Sequence, residues 1–178
     1  KLDDLKSLSP TAINRYLRCQ LMFYYNTICG LREDDDDDDQ EIDNKIFGDI
    51  FHRTAEAIYE EISGKDHRNA ITAEAIKRLV TKEKYKIDTY LDQAFREKLF
   101  KVDRPDFHPR YNGLQLLNRN VLRLYIQRLL RLDSDHAPFD ILALEQSFYD
   151  NLSFDVNETK RSIRIGGQID RLDRKGGQ

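Results

Sequence analysis

The stretch RIGGQIDRLDRKGGQ, Arg164 to Gln178, sets the fold class of the whole chain. Ser162 to Ile165 and Gln168 to Asp173 are short, partly alternating runs, as antiparallel strands require, and Lys175-Gly176-Gly177 is a turn signal. Within the second run, Asp170 stands among the apolar neighbours Ile169 and Leu172. A carboxylate placed at or near a buried sheet surface needs a cation or hydrogen-bond donors. An ion pair with Arg171 or Arg174 would supply one, and a metal ion would supply the other. The turn that follows is expected to lead to a returning strand past Gln178, and Lys1 is not a start methionine. Both ends are therefore expected to be cuts in a longer protein.

Working back from this hairpin, Ile141 to Tyr149 and Leu152 to Val156 are further strand-like runs beginning just after Pro138. Everything earlier is helical in pattern. Ser9-Pro10 starts a helix as N-cap and first helical residue. Ile13, Tyr16, Leu17, Leu21, Phe23, Tyr24 and Ile28 continue an apolar face through two short helices that end near Gly30. Ile46, Phe47, Ile50, Phe51, Thr54, Ile58 and Ile62 recur at three- and four-residue intervals and mark a long amphipathic helix closing at Ser63-Gly64. Further helices are expected at Thr72 to Lys84, Ile87 to Phe100 and Gly113 to Leu132, the last with Leu114, Leu117, Val121, Leu124, Tyr125, Arg128 and Leu129 on or beside one face. Arg104 to Asn112, with two prolines, is a loop. The expected fold class is α+β, a helical front half leading into a mixed or antiparallel sheet that begins at residues 138–178. With 178 residues and 39% hydrophobic content, one domain spanning the chain is expected.

Charge is distributed unevenly. Residues 33–44 hold nine acids, Asp34 to Asp39 among them, and removing these leaves 29 basic against 23 acidic residues, a balance of +6 in a chain of net charge -3. A mildly basic body is compatible with a polyanionic partner. The acidic run reads as a self-repelling, solvated loop, with a cation trap or a mimic of nucleic acid as the alternatives. No apolar run of about 18 residues is present, which excludes a membrane-spanning helix, and nothing near Lys1 resembles a signal peptide. Cys19 and Cys29 form no Cys-x-x-Cys pattern, which suits a reduced, cytoplasmic protein.

Other residues with chemical potential are His52, four positions after Gly48 on the long helix so that the backbone can approach something closely there, and Glu145 within ILALEQSFY. A lone helical histidine is ordinarily a surface or packing residue, and Glu145 alone reads as another ion-pair carboxylate. Taken in order, however, LSPTAINRYLRCQLMFYYNTICGL, FGDIFH, ALEQSF and GGQIDRLDR resemble the nuclease domain of the AddB/RecB branch of the PD-(D/E)XK superfamily, which has a restriction-endonuclease-like fold. The resemblance implies a metal-dependent deoxyribonuclease, an exonuclease in the full-length protein, serving DNA repair or recombination and associated with a helicase subunit or domain. It implies that His52 and Asp170 are catalytic and hold Mg²⁺ or Mn²⁺, with Glu145 as a further acidic ligand.

The resemblance also implies an Asp or Glu followed two positions later by Lys, on the strand pairing back against that of Asp170. Asp173-Arg174-Lys175 spells the pattern, but a side chain three residues after Asp170 in one strand points to the other face. Asp4-Leu5-Lys6, Asp43-Asn44-Lys45 and Glu158-Thr159-Lys160 spell it too. The pair is therefore expected past Gln178, and residues 1–178 alone are expected to cut little. Cys19 stands where many relatives place a Cys-Pro cysteine that in some of them joins three later cysteines on an iron–sulfur cluster; here Gln20 follows it. Arg15, Arg18 and Arg32 are candidates for phosphate contacts. Competing readings are a nuclease-derived module that binds DNA or a helicase without cutting, and a helical scaffold that matches by chance.

Overall fold

The computed structural model describes residues 7–31, 42–64, 66–104 and 106–176. Arg32 and nearly all of the acidic run lie outside them. The architecture is α+β: α1 (Pro10–Arg18), α2 (Gln20–Phe23) and a π-helical turn (Tyr24–Ile28), then α3 (Asn44–Ser63), α4 (Ala73–Thr81), α5 (Lys84–Lys98) and α6 (Gly113–His136), and finally β1 (Asp140–Val156) paired with β2 (Thr159–Arg174). The chain divides into two compact units. One comprises residues 1–36 and 145–169, the other residues 37–144 and 170–178.

In the first unit, Ser9 caps α1 by accepting a hydrogen bond from the Ala12 amide, with Pro10 at the first helical position. The apolar face expected of these helices is largely exposed, Tyr16, Leu17, Leu21 and Tyr24 among it, and only Ala12 is buried. The β-runs here differ from expectation, because four short strands merge into two long ones. Asn157 (φ 48) and Glu158 (φ 62) are both left-handed, the two-residue geometry whose twist matches that of the flanking strands. The glycine pair does not interrupt β2. A Cβ on Gly166 would lie 2.0 Å from the Phe148 carbonyl oxygen, so glycine is needed for close approach of the strands. Beside it, the Leu8 amide donates to the Arg164 carbonyl (2.8 Å) and the Gly166 amide to the Leu8 carbonyl (3.1 Å), which seats the segment before α1 along β2.

The second unit carries the main core. Asp43 caps α3 through the Ile46 amide (2.6 Å), and Gly64, at φ 79, ends it where Ser63-Gly64 predicts. α3 packs on α5 and α4 on α6. Ile58, Tyr59, Ile71, Ile76, Leu79, Ile87, Ile126, Leu130, Phe139 and Ile141 form one buried cluster; Ile50, Leu91, Ala94, Phe95, Leu99 and Leu122 form a second. α6 starts with a reciprocal capping box between Asn112 and Gln115. Its leucine stripe proves misleading: Leu114, Leu117, Leu124 and Tyr125 are exposed, whereas the buried positions are Gln115, Leu122, Ile126, Leu130 and Asp133. Its leucines fall on more than one side of the helix, so periodicity alone does not choose its inner face. Two of the five inner residues are polar, Gln115 satisfied by Asn112 within the capping box and Asp133 by partners from other elements, which removes them from a hydrophobic count.

Ile126 is wholly buried in the α3–α4–α6 cluster. Ile126→Ala is expected to cost about 2–5 kcal/mol in urea unfolding, and a loss below about 1 kcal/mol would place this position outside the core.

Candidate metal centre

The second unit brings His52 of α3 and Asp170 of β2 together. Their Nδ1 and Oδ1 atoms lie 3.9 Å apart, with side chains 42% and 68% exposed. The His52 ring packs edge-on against Phe51 (5.8 Å between centroids), whose own ring reaches both core clusters, so helix and core fix where the imidazole stands. Gly48 does not provide the close approach suggested by its spacing: a Cβ there would meet nothing within 4 Å.

Asp170 departs from expectation. It is exposed, because β2 alternates at its end: Asp170, Leu172 and Arg174 face out, and Arg171 and Asp173 face in. The arginines expected as its ion-pair partners bind elsewhere. Arg174 pairs with Asp140 (3.2 Å), and Arg171 places a two-pronged hydrogen bond on Asp133 of α6 (2.5 and 3.1 Å) and a contact on Asp173 (2.9 Å). Its guanidinium also lies over the Tyr59 and Phe139 rings, at 4.9 and 5.3 Å. Asp133, nearly fully buried, receives a very short hydrogen bond from the Tyr59 hydroxyl, and burial together with that carboxylate pushes the Tyr59 hydroxyl up.

The inward side chain Asp173 is only 22% exposed, and its Oδ1 has no hydrogen-bond partner among the described residues. Burial pushes its carboxyl up, and the opposing charge of Arg171, itself offset in part by that of Asp133, does not reverse this. Lys175, the third letter of the Asp-x-Lys pattern, donates to the His136 carbonyl (2.5 Å). Glu145 belongs to the first unit, where it accepts a hydrogen bond from Gln168 Nε2 (2.7 Å) and has a left-handed backbone, φ 45. Cys19 is exposed and Cys29 half-buried, both as free thiols. Arg15 and Arg18 are exposed on α1.

The His52–Asp170 pair fits a divalent cation. With metal–ligand bonds of about 2.1 Å in octahedral geometry, two ligand atoms are about 3 Å apart when adjacent and about 4 Å apart when opposite. The observed separation lies within that span. A carboxylate oxygen suits hard Mg²⁺, and an imidazole nitrogen shifts preference toward Mn²⁺.

The family model of the PD-(D/E)XK nuclease superfamily matches residues 7–178, and the chain belongs to that superfamily, whose members are typically metal-dependent nucleases. No curated protein matches the sequence. No helix among the described residues is long and apolar enough to cross a membrane.

Asp173 provides a pH signature. Because its carboxyl is raised in the folded state, the folded protein binds more protons than the unfolded chain above the free value near 4. Its stabilising contribution is complete below that value and is lost as pH rises through the folded one. As pH rises from about 4, the stability of the native chain is therefore expected to decline relative to that of Asp173→Asn in paired urea titrations. Parallel curves would contradict this placement of Asp173.

Proposed function

We propose that this nuclease-superfamily chain supplies His52 and Asp170 as ligands of a catalytic Mg²⁺ or Mn²⁺ in a DNA-cleaving centre, with Glu145 as a further acidic ligand. The observation carrying the proposal is the approach of His52 Nδ1 and Asp170 Oδ1 to 3.9 Å, from a helix and a strand far apart in sequence. The left-handed backbone of Glu145 supports its inclusion, since non-glycine residues held in that conformation concentrate at functional positions. When bound, such an ion neutralises charge on a scissile phosphate and lowers the pKa of a bound water.

The chain's own groups account for access and orientation. Asp170 points out from its strand, where a phosphodiester can approach it. His52 is held by its contact with Phe51 and by the helix beneath it. Arg15 and Arg18, on a segment with no acid between Ser7 and Leu31, are suited to phosphate contacts that position DNA without reading its sequence. Within this reading, residues 1–178 belong to one nuclease domain of AddB/RecB type, acting from DNA ends beside a helicase in repair or recombination. Asp173 and Lys175 are left out of the catalytic set because each is engaged elsewhere.

The reading is tested in two stages. Mn²⁺ titration of residues 1–178, followed by the loss of the free-ion electron paramagnetic resonance signal, is expected to show a site that Asp170→Ala removes and His52→Ala weakens at least about tenfold. In the full-length protein, the same substitutions are expected to abolish and strongly reduce DNA cleavage, respectively. Undiminished cleavage by Asp170→Ala would sink the assignment. Metal binding without any cleavage would support the rival module that holds DNA or a helicase without cutting.

A further inference from the structure

We propose that Arg171 is a positioning residue for this centre, holding Asp170 toward His52 from the reverse face of β2. The inference rests on reading His52 and Asp170 as metal ligands and deepens it. Arg171 is next to Asp170 in the strand, so its side chain leaves the opposite face and enters the helices. There it forks onto Asp133 of α6 with both terminal nitrogens and caps the Tyr59 ring. Tyr59 lies seven residues after His52, two turns along α3, and donates its hydroxyl to the same Asp133. One buried carboxylate thus ties the helix bearing one ligand to the strand bearing the other.

Each contact resists a different motion. The two-pronged fork fixes the guanidinium plane, which a single contact would leave free to rotate. Stacking between the Tyr59 and Phe139 rings fixes its depth. The strand cannot slide or tilt at residue 171 without breaking this set, and Asp170 shares its backbone. An ion requires ligand atoms held to a few tenths of an ångström, so loosening this anchor degrades the pair without touching either ligand.

Electrostatics alone predicts the reverse. Arg171 is a cation adjacent in sequence to a metal ligand, so its removal by charge alone would strengthen binding of a divalent ion. Positioning predicts weaker binding. The test titrates Mn²⁺ into residues 1–178 and compares the unsubstituted chain with Arg171→Gln, Arg171→Lys and Arg119→Gln. Arg119, bonded to Asp92 (2.6 Å) on the same unit, is a matched ion cluster remote from the ligands in sequence and controls for general destabilisation.

Arg171→Gln is expected to weaken Mn²⁺ binding about tenfold. Arg171→Lys, which keeps the charge and loses the fork, should fall between it and the unsubstituted chain. Arg119→Gln should bind as the unsubstituted chain does. Unchanged or tighter binding by Arg171→Gln, with Asp170→Ala still abolishing the site, would overturn the positioning role and leave the metal centre standing. An equal loss in Arg119→Gln would likewise reduce Arg171 to general stability. If Asp170→Ala and His52→Ala bind Mn²⁺ as the unsubstituted chain does, the metal centre itself fails and this inference with it.

Discussion

A buried carboxylate is costly unless its charge and lone pairs are met, and Asp133 in the last turn of α6 is such a group. It is answered by the Tyr59 hydroxyl from α3 and the Arg171 fork from β2. This requirement links three elements that sequence order keeps far apart. Apolar packing alone permits helices and strand to shift against one another by small amounts at little cost. A charged group with two partners of defined geometry does not. The same cluster has Phe139 and Tyr59 as its walls, so the polar knot sits inside the hydrophobic one.

The consequence for chemistry is a division of labour across a single strand. The inward residues Arg171 and Asp173 are occupied with the fold, and the outward residue Asp170 meets a histidine from a helix whose opposite side is core. A carboxylate exposed on a strand and a half-exposed imidazole are open to a bulky, charged polymer, as a nuclease superfamily member requires. A deeply buried pair would bind an ion yet exclude the substrate.

Much of this was legible in the sequence. The long helix with Gly64 as its stop, the Ser9-Pro10 cap and the change of texture after Pro138 all followed from periodicity and local chemistry. His52 and Asp170 were marked by ordered motifs, and geometry brings them together. Asp170 was expected near a buried surface because Ile169 and Leu172 flank it; both prove partly exposed, at 38% and 39%, and the burial lies with the inward arginine. Tyr59 and Asp133 carried no motif, and only the oddity of an acid on a leucine-rich helix hinted at the second. The inner face of α6 was unreadable because apolar residues occupy both sides of it. Gly166 and Gly167 looked like a strand break, whereas the constraint at Gly166 is the distance to a neighbouring backbone.

The alternation at the end of β2 has an evolutionary corollary. Side chains in a strand change sides with every residue, so gaining or losing one residue upstream in β2, without a compensating bulge, would send Asp170 inward and Arg171 outward. Ligand and anchor would exchange places in one step, and both chemistry and fold would fail together. Away from Gly166, Asp170 and Arg171, substitutions in this strand can be accepted singly, but single-residue insertions and deletions cannot. Length variation in descendants of this chain should therefore collect in the loops between helices and spare the stretch from Gly166 to Arg171.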